Sequence, residues 1–266
     1  EYSVKNLQAL AAPDSIKKDE QNTLHILDNW RAKFPEDKKP KMIFVTVSGG
    51  GKRAALWTMT ALQTTDSLTN GKFFDNTALI TGASGGLIGA SYFRELKLRQ
   101  HNGEPVNPRD VSHRVSISTD NLNPLIFSFL ANGLFVGFTK FEYGGFAYVK
   151  DRAFTFENEL NEITSQMMDK TITAYREPEA QSTIPMMILS PIITNDGRKL
   201  YIAAQPVSYL NSEILAIPGY TDNKIGGVDF SKLFGQHRGD SLRFLSALRM
   251  SATFPYITPN TTLPTS

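Results

Sequence analysis

Residues 42–53 have the sequence MIFVTVSGGGKR, and residues 78–86 have the sequence ALITGASGG. Each stretch is a short apolar run that ends in a glycine-rich turn, and a helix-like segment follows it, Arg53–Asp66 in the first case and Gly86–Leu98 in the second. Continuous, partly β-branched runs of this kind are typical of strands buried on both faces of a sheet. A strand, turn and helix that occur twice in succession form a βαβα series, which predicts an α/β fold with parallel strands.

The second turn carries a candidate nucleophile. Gly82–Gly86 fits the pattern G-x-S-x-G, in which a sharp strand-to-helix turn raises a serine hydroxyl above the sheet. Gly82 and Gly86 lack the side chains that such a turn excludes. Gly85 offers a backbone N–H next to the serine, at the start of a helix whose dipole favours negative charge. We therefore predict that Ser84 is a catalytic nucleophile and that Gly85 contributes to an oxyanion hole.

The first turn supplies further backbone donors. Gly49, Gly50 and Gly51 are consecutive residues without Cβ, so their amides can approach a ligand closely. Because open α/β sheets place their sites at the carboxyl ends of parallel strands, both turns should lie at one edge. We expect these glycines to complete the oxyanion hole. Arg53 follows them and either supports the loop, contacts a lipid phosphate, or is a solvated arginine on the helix surface.

Composition limits the classes of function. The chain has 266 residues, of which 41% are hydrophobic and 20% are charged, enough for one large globular domain. Its net charge is +2 with scattered basic residues, which argues against nucleic acid as a partner. It has no cysteine, and its histidines lack the spacing of metal ligands, so we expect no metal site and no cofactor.

The remaining sequence predicts the domain organisation. We expect residues 1–40 to form a polar lead-in with a short helix over Gln21–Lys33, and residues 41–266 to form the main domain. A partly helical insertion is expected over residues 100–180. Its apolar stretch Leu122–Phe138 contains proline and glycine and is shorter than the roughly 20 residues of a membrane span. One open interpretation of this stretch is a buried helix pair or core insertion, and the other is a wall that binds an acyl chain or a lid that meets lipid.

Further elements are expected in the second half of the chain. Asp151–Met168 has the pattern of an amphipathic helix, and Asp240–Ala252 that of a final helix. Met186–Ile193 and Leu200–Ala204 predict a hairpin, with a type I′ turn at Asn195-Asp196-Gly197.

Taken together, the two turns resemble the motifs of the patatin-like phospholipases. In that family a G-G-G-x-[KR] oxyanion loop precedes a G-x-S-x-G elbow, as Gly49–Arg53 precedes Gly82–Gly86 here. Ser246–Pro255 is also similar to the family's S-A-x-F-P stretch. The resemblance implies a three-layer α/β/α fold with a mainly parallel sheet. It also implies a serine–aspartate dyad with Ser84 as nucleophile and lipid acyl hydrolase activity of the phospholipase or carboxylesterase type. Peripheral membrane contact and membrane association of a longer parent protein are expected with it.

The aspartate of the dyad has no match in this sequence. In the family it belongs to a D-G-[GA] motif after S-A-x-F-P, and no such motif occurs between Pro255 and Ser266. Asp196-Gly197 has the same two residue types but precedes Ser246–Pro255, and a turn accounts for it. We therefore expect the dyad aspartate beyond residue 266.

Alternative functions also fit parts of the sequence. A lipid-binding or scaffolding domain would keep the elbow without a working base. A short-chain dehydrogenase would use the glycines of Thr81–Gly89 and the Y-x-x-x-K spacing of Tyr220–Lys224, but Ile88 stands where that loop requires glycine. A classical α/β-hydrolase would need a late histidine, for which His237 is the candidate.

Overall fold

The structure is a computed structural model that describes residues 13–119, 140–143, 146–149, 151–211, 226–235, 238–254 and 258–263. The strands are β1 Ile43–Val47, β2 Thr77–Gly82, β3 Lys140–Tyr143, β4 Phe146–Val149, β5 Met186–Leu189, β6 Lys199–Ala203 and β7 Gly227–Asp229. The helices are α1 Pro13–Ala32, α2 Gly51–Leu68, α3 Lys72–Asn76, α4 Ser84–His101, α5 Ser112–Ser118, α6 Arg152–Ile163, α7 Arg176–Ala180, α8 Phe230–Phe234 and α9 Phe244–Ser251. Short 3₁₀ turns lie at Ile172–Tyr175, Ser208–Leu210 and Gly239–Ser241.

The central sheet has the strand order β1-β2-β5-β6-β7. Strands β1, β2 and β5 are parallel, β6 is antiparallel to β5, and β7 is parallel to β6. In register, Gly82 at the end of β2 lies between Val47 of β1 and Leu189 of β5. The carboxyl ends of these strands therefore meet at one edge, and the predicted α/β class with a mainly parallel sheet is confirmed.

Alternation along β5 shows how the layers form. Met187 and Leu189 join a core that includes residues of α2 and α4, whereas Met186 and Ile188 join a second core with Ile26 of α1. Because successive strand residues point to opposite faces, α1 covers one side of the sheet and α2 with α4 cover the other. The expected three-layer α/β/α arrangement is confirmed.

The first strand differs from its prediction. β1 is the edge of the sheet, and its Phe44 side chain is 60% exposed. Among the described residues, the core on the α1 side draws on β2, β5 and β6 but not on β1. The expectation that β1 is buried on both faces is therefore wrong, because the helix on that side does not reach the outermost strand.

The hairpin of β5 and β6 is confirmed, but its turn type is not. Gly197 N–H donates to the carbonyl oxygen of Ile193 at 2.9 Å, and Gly197 has φ +80°. A type I′ turn needs positive φ at both central residues, and neither Asn195 nor Asp196 has it. The loop is instead a longer turn closed by one left-handed glycine. The Asp196 side chain pairs with Arg198.

The region of residues 100–180 contains helices α5, α6 and α7 together with an antiparallel hairpin of β3 and β4. The helix predicted from Asp151 ends at Ile163, and the Asp151 carboxylate accepts N–H bonds from Ala153 and Phe154 at its start. The stretch Leu122–Phe138 lies outside the described residues, so both interpretations of it stay predictions.

Helix α4 is buried along most of its length and carries two buried charges. Arg94 pairs with Glu179 and donates through Nε to the carbonyl oxygen of Pro185 at 2.9 Å. Glu95 accepts hydrogen bonds from the Tyr175 hydroxyl and from Lys170 Nζ, each at 2.8 Å. Since an unpaired buried charge is strongly destabilising, these partners allow the helix to occupy the centre of the domain.

Glu179 has an altered affinity for its proton. Burial raises its pKa to about 7, although Arg94 and the N–H of Met187 act in the opposite direction. Its Oε2 atom is buried and has no hydrogen-bond partner among the described residues. The charged carboxylate is therefore compensated only at Oε1, by Arg94 and Met187, and burial outweighs these partners in setting the pKa.

We predict that Glu179→Gln changes how stability depends on pH. An unperturbed glutamate has a pKa of 4.5 and folded Glu179 one of about 7, so the folded state retains a proton that the unfolded chain releases. The contribution of Glu179 to the free energy of unfolding therefore decreases as pH rises through this window. Relative to that of wild type, the free energy of unfolding of the variant should increase by roughly 3 kcal/mol between pH 4 and pH 8.

Urea unfolding at a series of pH values measures this difference. Glu177→Gln removes an exposed carboxylate from the same helix and controls for the loss of one charge. If the difference in free energy of unfolding between wild type and Glu179→Gln does not vary with pH, the raised pKa of Glu179 is contradicted.

Candidate active site

The two glycine turns lie side by side at the carboxyl edge of β1 and β2. Ala83 N–H donates to the carbonyl oxygen of Val47 at 3.0 Å, which joins the end of one strand to the start of the other turn. A Cβ placed on Gly49 would be 3.4 Å from the Cβ of Ser84. The structure thus brings the first glycine turn into direct proximity with the candidate nucleophile.

Ser84 occupies a strained position at the start of α4. Ala83 before it is extended, with φ −141° and ψ 149°, whereas Ser84 itself has φ +51°. A left-handed conformation in a residue with a Cβ costs about 1–2 kcal/mol. The abrupt change from strand to helix at a half-buried serine has the local geometry of a nucleophile elbow.

The glycines around Ser84 are required by close backbone contacts. A Cβ on Gly82 would lie 2.0 Å from the carbonyl oxygen of Val47, and one on Gly86 would lie 2.5 Å from that of Ser48. A Cβ on Gly85 would lie 1.8 Å from the carbonyl oxygen of Gly51. Side chains at these positions would push the two turns apart.

Backbone donors are concentrated beside the serine. Helix α2 begins at Gly51 and helix α4 at Ser84, and the first N–H groups of a helix have no intrahelical partner. These helix starts also carry partial positive charge. Gly49 and Gly50 are exposed immediately before α2, and Gly50 has φ +140°. An oxyanion hole formed by Gly49, Gly50, Gly51 and Gly85 stays a prediction that this arrangement favours.

Arg53 lies on the first turn of α2 and is exposed. Among the described residues, its guanidinium forms no ion pair or hydrogen bond that would fix the loop. Its predicted support of the loop therefore finds no contact here, whereas contact with a phosphate and simple solvation both remain consistent with its position.

A base for Ser84 is not found in the part of the chain that the structure describes, where no carboxylate or imidazole bonds to its hydroxyl. Asp196 pairs with Arg198, and His113 bonds through Nδ1 to the hydroxyl of Tyr92 at 2.9 Å. His237 and Tyr220–Lys224 lie outside the described residues. The aspartate expected beyond residue 266 stays a prediction.

Helix packing accounts for a glycine that the dehydrogenase alternative would use. A Cβ on Gly89 would lie 2.3 Å from the carbonyl oxygen of Ala55 on α2. Gly85 and Gly89 are four residues apart and therefore lie on one face of α4. Both make close contact with α2, Gly85 with Gly51 and Gly89 with Ala55. This spacing is the sequence signal that could have revealed the contact between α2 and α4.

A cleft that no motif indicates opens at the same edge of the sheet. Its volume is about 360 Å³, and it lies between the loop joining β5 to β6, helices α8 and α9, and residues 260–263. We call it the β5–β6 cleft. Sequence reasoning missed it because its walls come from segments that are far apart along the chain.

Membrane-spanning helices and metal-binding clusters are both absent from the described ranges. No helix there is both long and apolar enough to cross a membrane. No group of three or more histidine, aspartate or glutamate side chains in those ranges is arranged to hold a metal ion.

Comparisons with known proteins find similarity between this chain and solved phospholipase structures. No family model matches the sequence, and no curated protein matches it. A structure of human GIVD cytosolic phospholipase A2 in complex with methyl gamma-linolenyl fluorophosphonate is similar, with 13% identity and a TM-score of 0.41 over 77% of this chain. Another structure of human GIVD cytosolic phospholipase A2 has 14% identity and a TM-score of 0.39 over 77% of this chain. The chain spans 28% and 27% of those two chains, respectively.

We predict that Gly85→Ala disrupts the contact between the turns. The added Cβ would meet the backbone of Gly51 at 1.8 Å, which no side-chain rotation can relieve. Overpacking of this kind should lower the free energy of unfolding by more than about 2 kcal/mol, measured by urea unfolding.

Gly235→Ala is the matched control, because a Cβ there meets nothing within 4 Å and φ is −56°. If the two variants have equal free energies of unfolding, the close contact between Gly85 and Gly51 is contradicted.

Proposed function

We propose that this chain forms the nucleophile-bearing part of a lipid acyl hydrolase of the patatin-like type. The observation that carries the proposal is the position of Ser84, held at φ +51° in a strand-to-helix turn with Gly49 beside it. A strained serine next to a glycine loop and a helix start is the arrangement that acyl transfer to a hydroxyl requires.

The proposed reaction has two stages. Ser84 Oγ attacks the ester carbonyl carbon as its proton passes to a base, and the carbonyl electron pair moves to oxygen. The amides of Gly49, Gly50, Gly51 and Gly85 stabilise the resulting oxyanion, and each such donor is typically worth about 3 kcal/mol. Collapse of the intermediate expels the alcohol and leaves an acyl-serine, which water then hydrolyses.

The base in this proposal is the aspartate expected beyond residue 266. It would accept the Ser84 proton, return it to the leaving alcohol, and later activate water. A lipid or another carboxylic ester is the proposed substrate. Peripheral membrane contact belongs to the same proposal, which needs no cofactor.

Fluorophosphonate labelling of the full-length protein tests the nucleophile. We expect covalent labelling of wild type and its loss in Ser84→Ala, because the probe reacts only with an activated hydroxyl. Ser67→Ala, an exposed serine on α2, should be labelled as wild type is. Intact-mass spectrometry measures each outcome.

Different results would favour other functions. A folded wild type that is never labelled would favour the non-catalytic lipid-binding domain. Labelling that persists in Ser84→Ala would place the nucleophile elsewhere, and tight binding of a nicotinamide cofactor would support the dehydrogenase.

We also predict a role for Arg53 in substrate preference. If the exposed guanidinium contacts a lipid phosphate, Arg53→Ala should lower kcat/KM for phospholipids by about tenfold, as expected for loss of one charge-assisted hydrogen bond. Hydrolysis of neutral esters should not change. Lys17→Ala, which removes an exposed cation on α1, is the control. An equal loss on both substrate classes would contradict phosphate contact.

A further inference from the structure

The β5–β6 cleft begins one strand away from the candidate nucleophile. Gly82 and Leu189 are partners in the parallel register of β2 and β5. Ser84 lies two residues after Gly82, and Pro191, which lines the cleft, lies two residues after Leu189. Neighbouring strands are about 4.8 Å apart, so the segment that leads from β5 into the cleft leaves the sheet next to the elbow, on the side away from β1.

The lining of the cleft indicates the chemistry of its ligand. Its apolar wall is formed by Ile193, Leu200, Leu233, Phe234, Met250 and Leu263. Its other lining residues are mainly threonines and asparagines, and none of the described residues that line it carries a charge. Since burial of a charged group without a partner is costly, the cleft suits a hydrocarbon group and disfavours a phosphate or an ionised headgroup.

The size of the cleft narrows the choice of ligand further. The volume of about 360 Å³ is near the lower end of ligand pockets, which span about 300–1,000 Å³, so it suits one chain rather than two.

We infer that the β5–β6 cleft binds the acyl chain of the ester that Ser84 attacks, an assignment that rests on the proposed function. The chain would extend from Ser84 across the end of β5. The alcohol part would lie on the other side, over Gly49–Arg53, where the exposed Arg53 is located. Substrate orientation would thus follow from an uncharged cleft on one side of the serine and a cationic side chain on the other.

Filling the cleft tests the assignment in the full-length protein. Leu233→Trp and Leu263→Trp each place a bulky ring in the cleft from a half-buried position. Each should reduce the ratio of kcat/KM for a decanoyl ester to that for an acetyl ester by about tenfold or more. Leu68→Trp adds the same ring at a residue that is 80% exposed on α2, and it should leave the ratio at the wild-type value.

A binding measurement separates this inference from the proposed function. A fluorophore-labelled decanoyl amide should bind Ser84→Ala protein, and Leu233→Trp should weaken that binding by about tenfold. One outcome is that the tryptophan variants lose amide binding while wild type hydrolyses no ester. This outcome would support binding of an acyl chain in the cleft and would overturn the proposed hydrolase. Unchanged chain-length ratios and unchanged amide binding in both folded tryptophan variants would overturn the acyl-chain assignment.

Discussion

The direct contact between the backbones of the two turns is the constraint on which the site depends. Gly85 approaches the carbonyl oxygen of Gly51 so closely that a Cβ would lie 1.8 Å from it, and Gly89 meets Ala55 in the same way. At these two glycines, helix α4 therefore lies against the backbone of α2 without an intervening side chain. This contact positions Ser84 relative to the glycine loop, because the loop cannot move away without separating the helices.

The site combines a fixed serine with surroundings of different polarity. On the β1 side the chain offers exposed amides and Arg53, and on the β5 side it offers an uncharged cleft. The sheet creates this asymmetry, since β2 has a neighbour on each side and each neighbour ends in a different kind of loop. In the proposed function, these two sides would receive the two halves of the ester that Ser84 attacks.

Local patterns predicted the part of the fold in which neighbours along the chain are neighbours in space. Ala55, Met59 and Leu62 recur at helical spacing and are all buried in the structure. The exposure of Phe44 could not be predicted, because an apolar strand has the same sequence at an edge as at the centre of a sheet. The β5–β6 cleft escaped prediction for a related reason: its walls, such as Ile193, Met250 and Leu263, meet only through tertiary packing.

The buried charges of α4 have a consequence for protein engineering. Arg94 and Glu95 find partners in Glu179 and Tyr175, which lie 85 and 80 positions further along the chain. A graft of only the glycine turns and their two helices onto another sheet would leave Arg94 without its partner and would leave Glu95 with only Arg99 of its own helix. The serine motif therefore cannot be transferred alone, and any minimal domain that retains it must include the chain through β5.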